Sequence, residues 1–132
     1  SITERLSLYN KLGSLKTEVE LQIFETEIID RFGEIPTQVE DLLDSVRIKW
    51  LAKELGLEKI ILKQKRIVGY FVSNQQSEFY QTEAFSKTLR YVQQNSKSCV
   101  MKEKQTKNGL RLLITFIKID TVKTALTILQ KV

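Results

Sequence analysis

The spacing of apolar residues divides the chain into two parts. Through the first 56 residues apolar positions recur at helical intervals, and from Leu57 onward short β-branched and aromatic runs take over. Thr3 is placed to cap a first helix with Leu6, Tyr9 and Leu12 inward, ended by Gly13. A second helix starts at Ser14 or at Thr17, where Thr17 and Glu20 have capping-box spacing. It presents Leu21, Phe24, Ile28 and Phe32 on one face and stops at Gly33, a residue suited to the backbone that follows a helix. After Pro36, Thr37 and Glu40 repeat the capping-box spacing. The third helix then runs through Val39, Leu42, Leu43 and Val46 to Gly56, with Trp50 as a core anchor.

Beyond Leu57, residues 59–64 and 67–73 predict a hairpin turning at Lys65–Arg66. Thr82 caps a fourth helix carrying Phe85, Leu89 and Val92, which fades near Asn95. Residues 98–105 and 110–118 predict a second hairpin turning around Asn108–Gly109, both of which tolerate positive φ. Asp120 is placed to cap a last helix with Val122, Leu126 and Leu129 inward. The order ααα-ββα-ββα predicts an α+β fold, an N-terminal helical segment followed by an antiparallel sheet of two hairpins packed with helices. Residues 1–132 are expected to form a single domain, with a helical lead-in over 1–56 and an α+β part over 57–132. A start at Ser1 rather than Met suggests a fragment of a larger multidomain protein.

Composition narrows the class. At 42% hydrophobic residues the chain can build a core. No apolar run reaches the roughly 20 residues that span a bilayer, and no secretory leader is visible, so a soluble protein without a membrane partner is expected. The single cysteine, Cys99, cannot form an internal disulfide, which fits a cytoplasmic location. The net charge of +5 conceals an asymmetry. Residues 1–45 hold four basic and ten acidic side chains, and the remainder 17 basic and six acidic, so net charges of −6 and +11 follow one another along the chain.

Catalytic chemistry is hard to assemble from these residues. There is no histidine, which removes the usual general base and the commonest metal ligand. One cysteine cannot make a zinc site, and no glycine is followed by lysine, so a phosphate-binding Walker loop is absent. Glu25, Glu27 and Asp30 are close in sequence, but surface helices carry such clusters routinely. No enzyme, no cofactor and no metal are expected in this chain.

Binding features are more informative. Ile23, Glu27 and Asp30 share a helical stripe turned away from Leu21, Phe24, Ile28 and Phe32. Asp30 falls in the last helical turn, where the helix dipole disfavours an anion by about 0.3–1 kcal/mol, and Glu34 adds to the unfavourable field. Two readings fit: a face solvated or paired internally, for example with Arg31, and a docking surface for an external arginine-rich partner. In the basic part, Lys63, Lys65 and Arg66 surround the first hairpin turn, and Lys102, Lys104 and Lys107 precede the second. With Tyr70, Phe79, Tyr80 and Tyr91 as stacking groups they make a nucleic-acid interface the alternative reading, against edge lysines and core aromatics.

One stretch carries a family resemblance. Glu27-Ile28-Ile29-Asp30-Arg31-Phe32-Gly33-Glu34-Ile35-Pro36 resembles a signature of the C-terminal domain of bacterial transcription-repair coupling factors. Arg5-Leu6-Ser7-Leu8-Tyr9, Leu42-Leu43 and Leu55-Gly56-Leu57 are similar to the same family, with Ile35 where leucine is more usual. The similarity runs from about residue 5 to 57. It implies a parent protein that is an ATP-driven DNA translocase, displacing stalled RNA polymerase and recruiting excision repair through UvrA. The ATP and Mg of that motor would lie outside this chain. It further implies that this domain docks on a UvrB-like N-terminal module of the same protein, masking the UvrA-binding surface and restraining the motor until polymerase is engaged. Carried onto this sequence, the acidic docking residues are Glu27 and Asp30, with Ile23 beside them.

Overall fold

The computed structural model describes residues 2–132, which fall into two compact units divided between Arg47 and Ile48. Three helices begin in the first unit: α1 (Ile2–Ser14), α2 (Glu18–Phe32) and α3 (Thr37–Glu54). Thr17 caps α2 as expected, its side chain accepting the Glu20 N–H at 3.2 Å while Glu20 reaches back to the Lys16 N–H. Gly33 ends the helix at φ +82°, ψ −155°, a combination open in practice to glycine alone. Thr3 and Thr37 are not caps. Thr3 lies inside α1, and Thr37 opens α3 while the Pro36 carbonyl accepts from Val39 and Glu40, so the ladder starts one residue earlier.

The core of this unit is Leu15, Leu21, Phe24, Ile28 and Leu43. Four apolar residues at core-like spacing are exposed outside it, Leu42 among them. Leu6 and Tyr9 are 58% and 54% exposed on a helix that buries no residue, and Phe32 is 51% exposed with its ring under the Arg31 guanidinium, 5.1 Å away. One polar group is buried here, Asp44, held by Arg47 at 2.8 Å. Arg47 also takes Glu18 at 2.6 Å and Glu25 at 3.7 Å. The hydrogen bond to Glu18 is the main cause holding the Arg47 pKa above its ordinary value, against the effect of burial.

The second unit is built on β1 (Leu57–Lys63), β2 (Arg66–Phe71), β3 (Cys99–Thr106) and β4 (Gly109–Ile117), with α4 (Glu83–Gln94) between the hairpins and α5 (Val122–Lys131) after them. The two hairpins join edge to edge in one antiparallel sheet, ordered β1-β2-β4-β3, with Arg66 opposite Ile117 and Tyr70 opposite Leu113. The fold is α+β, in the order the sequence predicts. The first turn sits one residue earlier than expected, on Gln64 and Lys65 at φ +53° and +59°, which is the twist a two-residue hairpin needs. In the second, only Gly109 takes positive φ (+108°). Thr82 caps α4, whereas α5 is capped by Thr121 rather than Asp120. Thr121 accepts the Thr124 N–H at 3.0 Å, and Asp120 lies 3.8 Å from Lys65.

One face of the sheet, with Leu57, Ile67, Phe71, Cys99, Ile114 and Phe116, packs on Ile48, Ala52, Phe85, Ala125, Leu126 and Leu129. Trp50 is only half-buried, and Ile48 and Ala52 take the place expected of it; Leu89 is 39% exposed while Phe85 and Thr88 fill the inner side of α4. A short 3₁₀ turn over Glu78–Gln81, not expected from the sequence, delivers Phe79 and Tyr80 into an aromatic cluster with Phe71 and Phe85, ring centroids 5.1–6.2 Å apart.

Candidate functional site

The second helix separates its carboxylates by use. Glu20 belongs to the N-terminal cap, and Glu18 and Glu25 hold Arg47. Glu27 and Asp30, both exposed, have no ion pair or hydrogen-bond partner among the described residues. Arg31, which the sequence offered as an internal partner, instead approaches Glu4 at 4.0 Å. Ile23 lies on the same stripe at 56% exposure. Val19, one turn earlier and 67% exposed, extends it; sequence reasoning missed this residue although the same i, i+4 spacing identifies it. At 1.5 Å per residue, Val19 to Asp30 makes a strip about 16 Å long, apolar at one end and acidic at the other. The acidic end coincides with the C-terminal turn, where helix carbonyls repel anions, so these carboxylates gain nothing from their own helix. A cationic partner would relieve both effects. Chemically the strip can bind an arginine-bearing surface with an apolar centre.

The basic residues take a different arrangement. Strand register puts Lys63 opposite Arg66, and Lys102 and Lys104 on the same sheet face, the one turned away from α4 and α5. Lys65 stands in the turn beside Asp120. Lys107 lies in the other turn, eight residues along β4 from the Arg66 row, or about 27 Å. The six therefore form a group of four on one face and two outliers. The face adds Lys59 and Arg111, whose cationic groups lie 5.3 and 5.6 Å from the Tyr70 ring centroid. Only the register, which brings residues from distant segments together, reveals those two. Of the aromatic residues offered as stacking groups, Phe79 and Tyr80 belong to the internal cluster, and Tyr91 packs near Phe116. Among the described residues no group of three or more acidic, cysteine or histidine side chains could hold a metal ion, and no helix is long and apolar enough to cross a membrane.

The signature stretch thus ends α2 and supplies the acidic end of the outer strip, and the chain around it matches a known family model, the TRCF domain, over residues 1–82. The chain belongs to the TRCF domain family. That match takes in α1 to α3, the first hairpin and the 3₁₀ turn. A transcription-repair-coupling factor of Escherichia coli K12 is 42% identical over 59 residues, covering 45% of this chain and 5% of that protein. That of Staphylococcus epidermidis RP62A is 33% identical over 123 residues, covering 86% of this chain and 10% of its own length. That of Rickettsia bellii is 39% identical over 70 residues, 53% of this chain and 6% of the relative. This TRCF domain thus spans a tenth or less of these relatives' length. A crystal structure of the C-terminal domain of a transcription-repair coupling factor superposes with a TM-score of 0.68 at 17% identity, over 96% of this chain and 74% of that one. The two share a fold.

Proposed function

We infer that this TRCF domain is a regulatory docking module of a transcription-repair coupling protein and has no catalytic role of its own. Its outer α2 strip, Ile23 with Glu27 and Asp30, binds arginines on a UvrB-like N-terminal module of the same protein. Docking masks the surface that binds UvrA and restrains an ATP-driven DNA translocase, whose ATP and Mg site is elsewhere in the parent chain, until RNA polymerase is engaged in the cytoplasm. The observation that carries this reading is the pair Glu27 and Asp30. They are exposed and without ion-pair partners among the described residues, and Asp30 lies in the last turn of its helix, the end least favourable to an anion. A switch of this kind needs weak contacts, because a coupling of about 1–3 kcal/mol already changes affinity 5- to 150-fold.

The test is made in the full-length protein. Glu27→Arg with Asp30→Arg is expected to raise basal ATPase activity and UvrA binding at least fivefold, the low end of that coupling, with the circular dichroism spectrum unchanged. ATPase and UvrA binding both at wild-type levels in a folded double variant would refute the assignment.

A further inference from the structure

The sheet face turned away from α4 and α5 is a second surface of definite chemistry. Its strand positions are Lys59, Ile61 and Lys63 on β1, Arg66, Val68 and Tyr70 on β2, Arg111, Leu113, Thr115 and Ile117 on β4, and Val100, Lys102 and Lys104 on β3. Six are cations and none is a carboxylate. Arg111 is neutralised from the side, donating to Glu58 at 3.2 Å and to the Phe71 carbonyl at 2.8 Å. Lys59, Lys63, Arg66, Lys102 and Lys104 have no ion pair among the described residues. Lys59 and Lys63 stand on the edge strand β1 and Lys102 and Lys104 on the edge strand β3, three strand spacings or about 14 Å apart, while Arg66 and Arg111 lie on the inner strands β2 and β4. Between them lies an apolar floor with a shallow depression of about 300 Å³, lined by Ile61, Val68, Tyr70, Leu113 and Thr115 and rimmed by Lys63, Arg66 and Lys104.

We propose that this face binds single-stranded nucleic acid, phosphates on the cationic edges and bases over the apolar floor. The charge calls for a polyanion, and the floor selects which one. A duplex keeps its base faces stacked inside and offers only phosphates and groove edges, so it leaves Val68 and Tyr70 without a stacking partner. An acidic peptide has no planar apolar groups to lay on the floor. An unpaired strand supplies both components at once, and base–aromatic stacking tolerates any sequence. Tyr70 is the one aromatic on the floor, with the Lys59 and Arg111 cations 5.3 and 5.6 Å from its ring centroid. The surface shares no residue with the α2 strip and does not depend on the docking reading.

The experiment is fluorescence anisotropy of a labelled twelve-nucleotide oligo(dT) titrated with the 132-residue chain over a salt series. Five phosphate contacts at about −0.7 each give a slope of log K against log salt near −3.5, or about a hundredfold loss from 50 to 200 mM. Lys102→Gln with Lys104→Gln, both exposed, should reduce the slope to about −2. Tyr70→Leu should weaken binding roughly tenfold and leave the slope alone. A duplex of the same length should bind more weakly than the single strand, and so should a glutamate twelve-mer. Equal or tighter binding of either competitor, or wild-type affinity in the folded double lysine variant, overturns the proposal.

Discussion

Gly56→Ala should be among the most damaging single-atom additions to this chain. Two costs act together. Gly56 has φ +76°, where a side chain costs about 1–2 kcal/mol, and an added Cβ would stand 2.2 Å from Phe79 Cζ and 2.5 Å from both Cε atoms. Carbon atoms pack at about 3.5 Å or more, so the ring must move by over an ångström. Phe79 cannot yield cheaply, because it packs on Phe71, Tyr80 and Phe85, and the Gly56 carbonyl accepts the Val72 N–H at 3.0 Å and so pins the backbone. Each aromatic pair is worth about 0.5–1.5 kcal/mol, and overpacking of this kind costs about 1–3 kcal/mol. The φ and overpacking costs sum to about 2–5 kcal/mol, read as a lowered urea midpoint at unchanged m-value and a Tm lower by roughly 10–30 °C. Gly69→Ala is the control. Its Cβ would meet the flexible ends of Leu57 at 2.9 Å and Ile114 Cγ2 at 3.2 Å, with no positive φ, so about 1–2 kcal/mol is expected. A loss at Gly56 no larger than at Gly69 would show that the reasoning from φ and ring contact is wrong. The glycine of Leu55-Gly56-Leu57 would then have no backbone or packing requirement behind it.

Two further outcomes follow from buried groups. Arg47→Met removes charge-assisted bonds to Glu18 and Asp44 and should destabilise the first unit by about 2 kcal/mol in urea unfolding; a change under about 0.5 kcal/mol would mean that the cluster is incidental. Burial pushes the Cys99 thiol up to about 11 from an ordinary 9.0, so native alkylation at pH 8.5 should run about a hundredfold slower than in the denatured chain. The folded pKa is the higher one. The associated stability, at most about 2.7 kcal/mol, is therefore complete below pH 9 and lost as pH rises through 11. Wild type should lose it relative to Cys99→Ala, and parallel pH profiles of the two would contradict this.

Local signals were read well from the sequence where a residue type answers a backbone need. Thr17 with Glu20, Thr82 and Gly33 fall where capping rules place them, and the hairpins lie within two residues of their expected bounds. The α2 strip was legible for the same reason, since helical spacing alone separates Ile23 from Phe24. What periodicity could not supply is whether anything covers an apolar stripe. Leu6, Tyr9 and Phe32 have core-like spacing and remain exposed. Capping chemistry was also ambiguous where two candidates adjoin, as with Asp120 and Thr121. The basic face was the least visible, because its cations come from four strands that only register aligns.

The strand order has a kinetic consequence. Each hairpin closes across a tight turn, an event of about 1–10 μs. The sheet is complete only when β2 meets β4, which joins Arg66 to Ile117 across 51 residues and costs about 3.5 kcal/mol in loop closure. Until then the inner edge of β2, with Ile67 and Val68, has unpaired backbone beside apolar side chains. During synthesis that edge must wait for the last strand to leave the ribosome, while α4 and β3 emerge first. In a chain made from its N-terminus, this is the interval in which it is most exposed to misassembly.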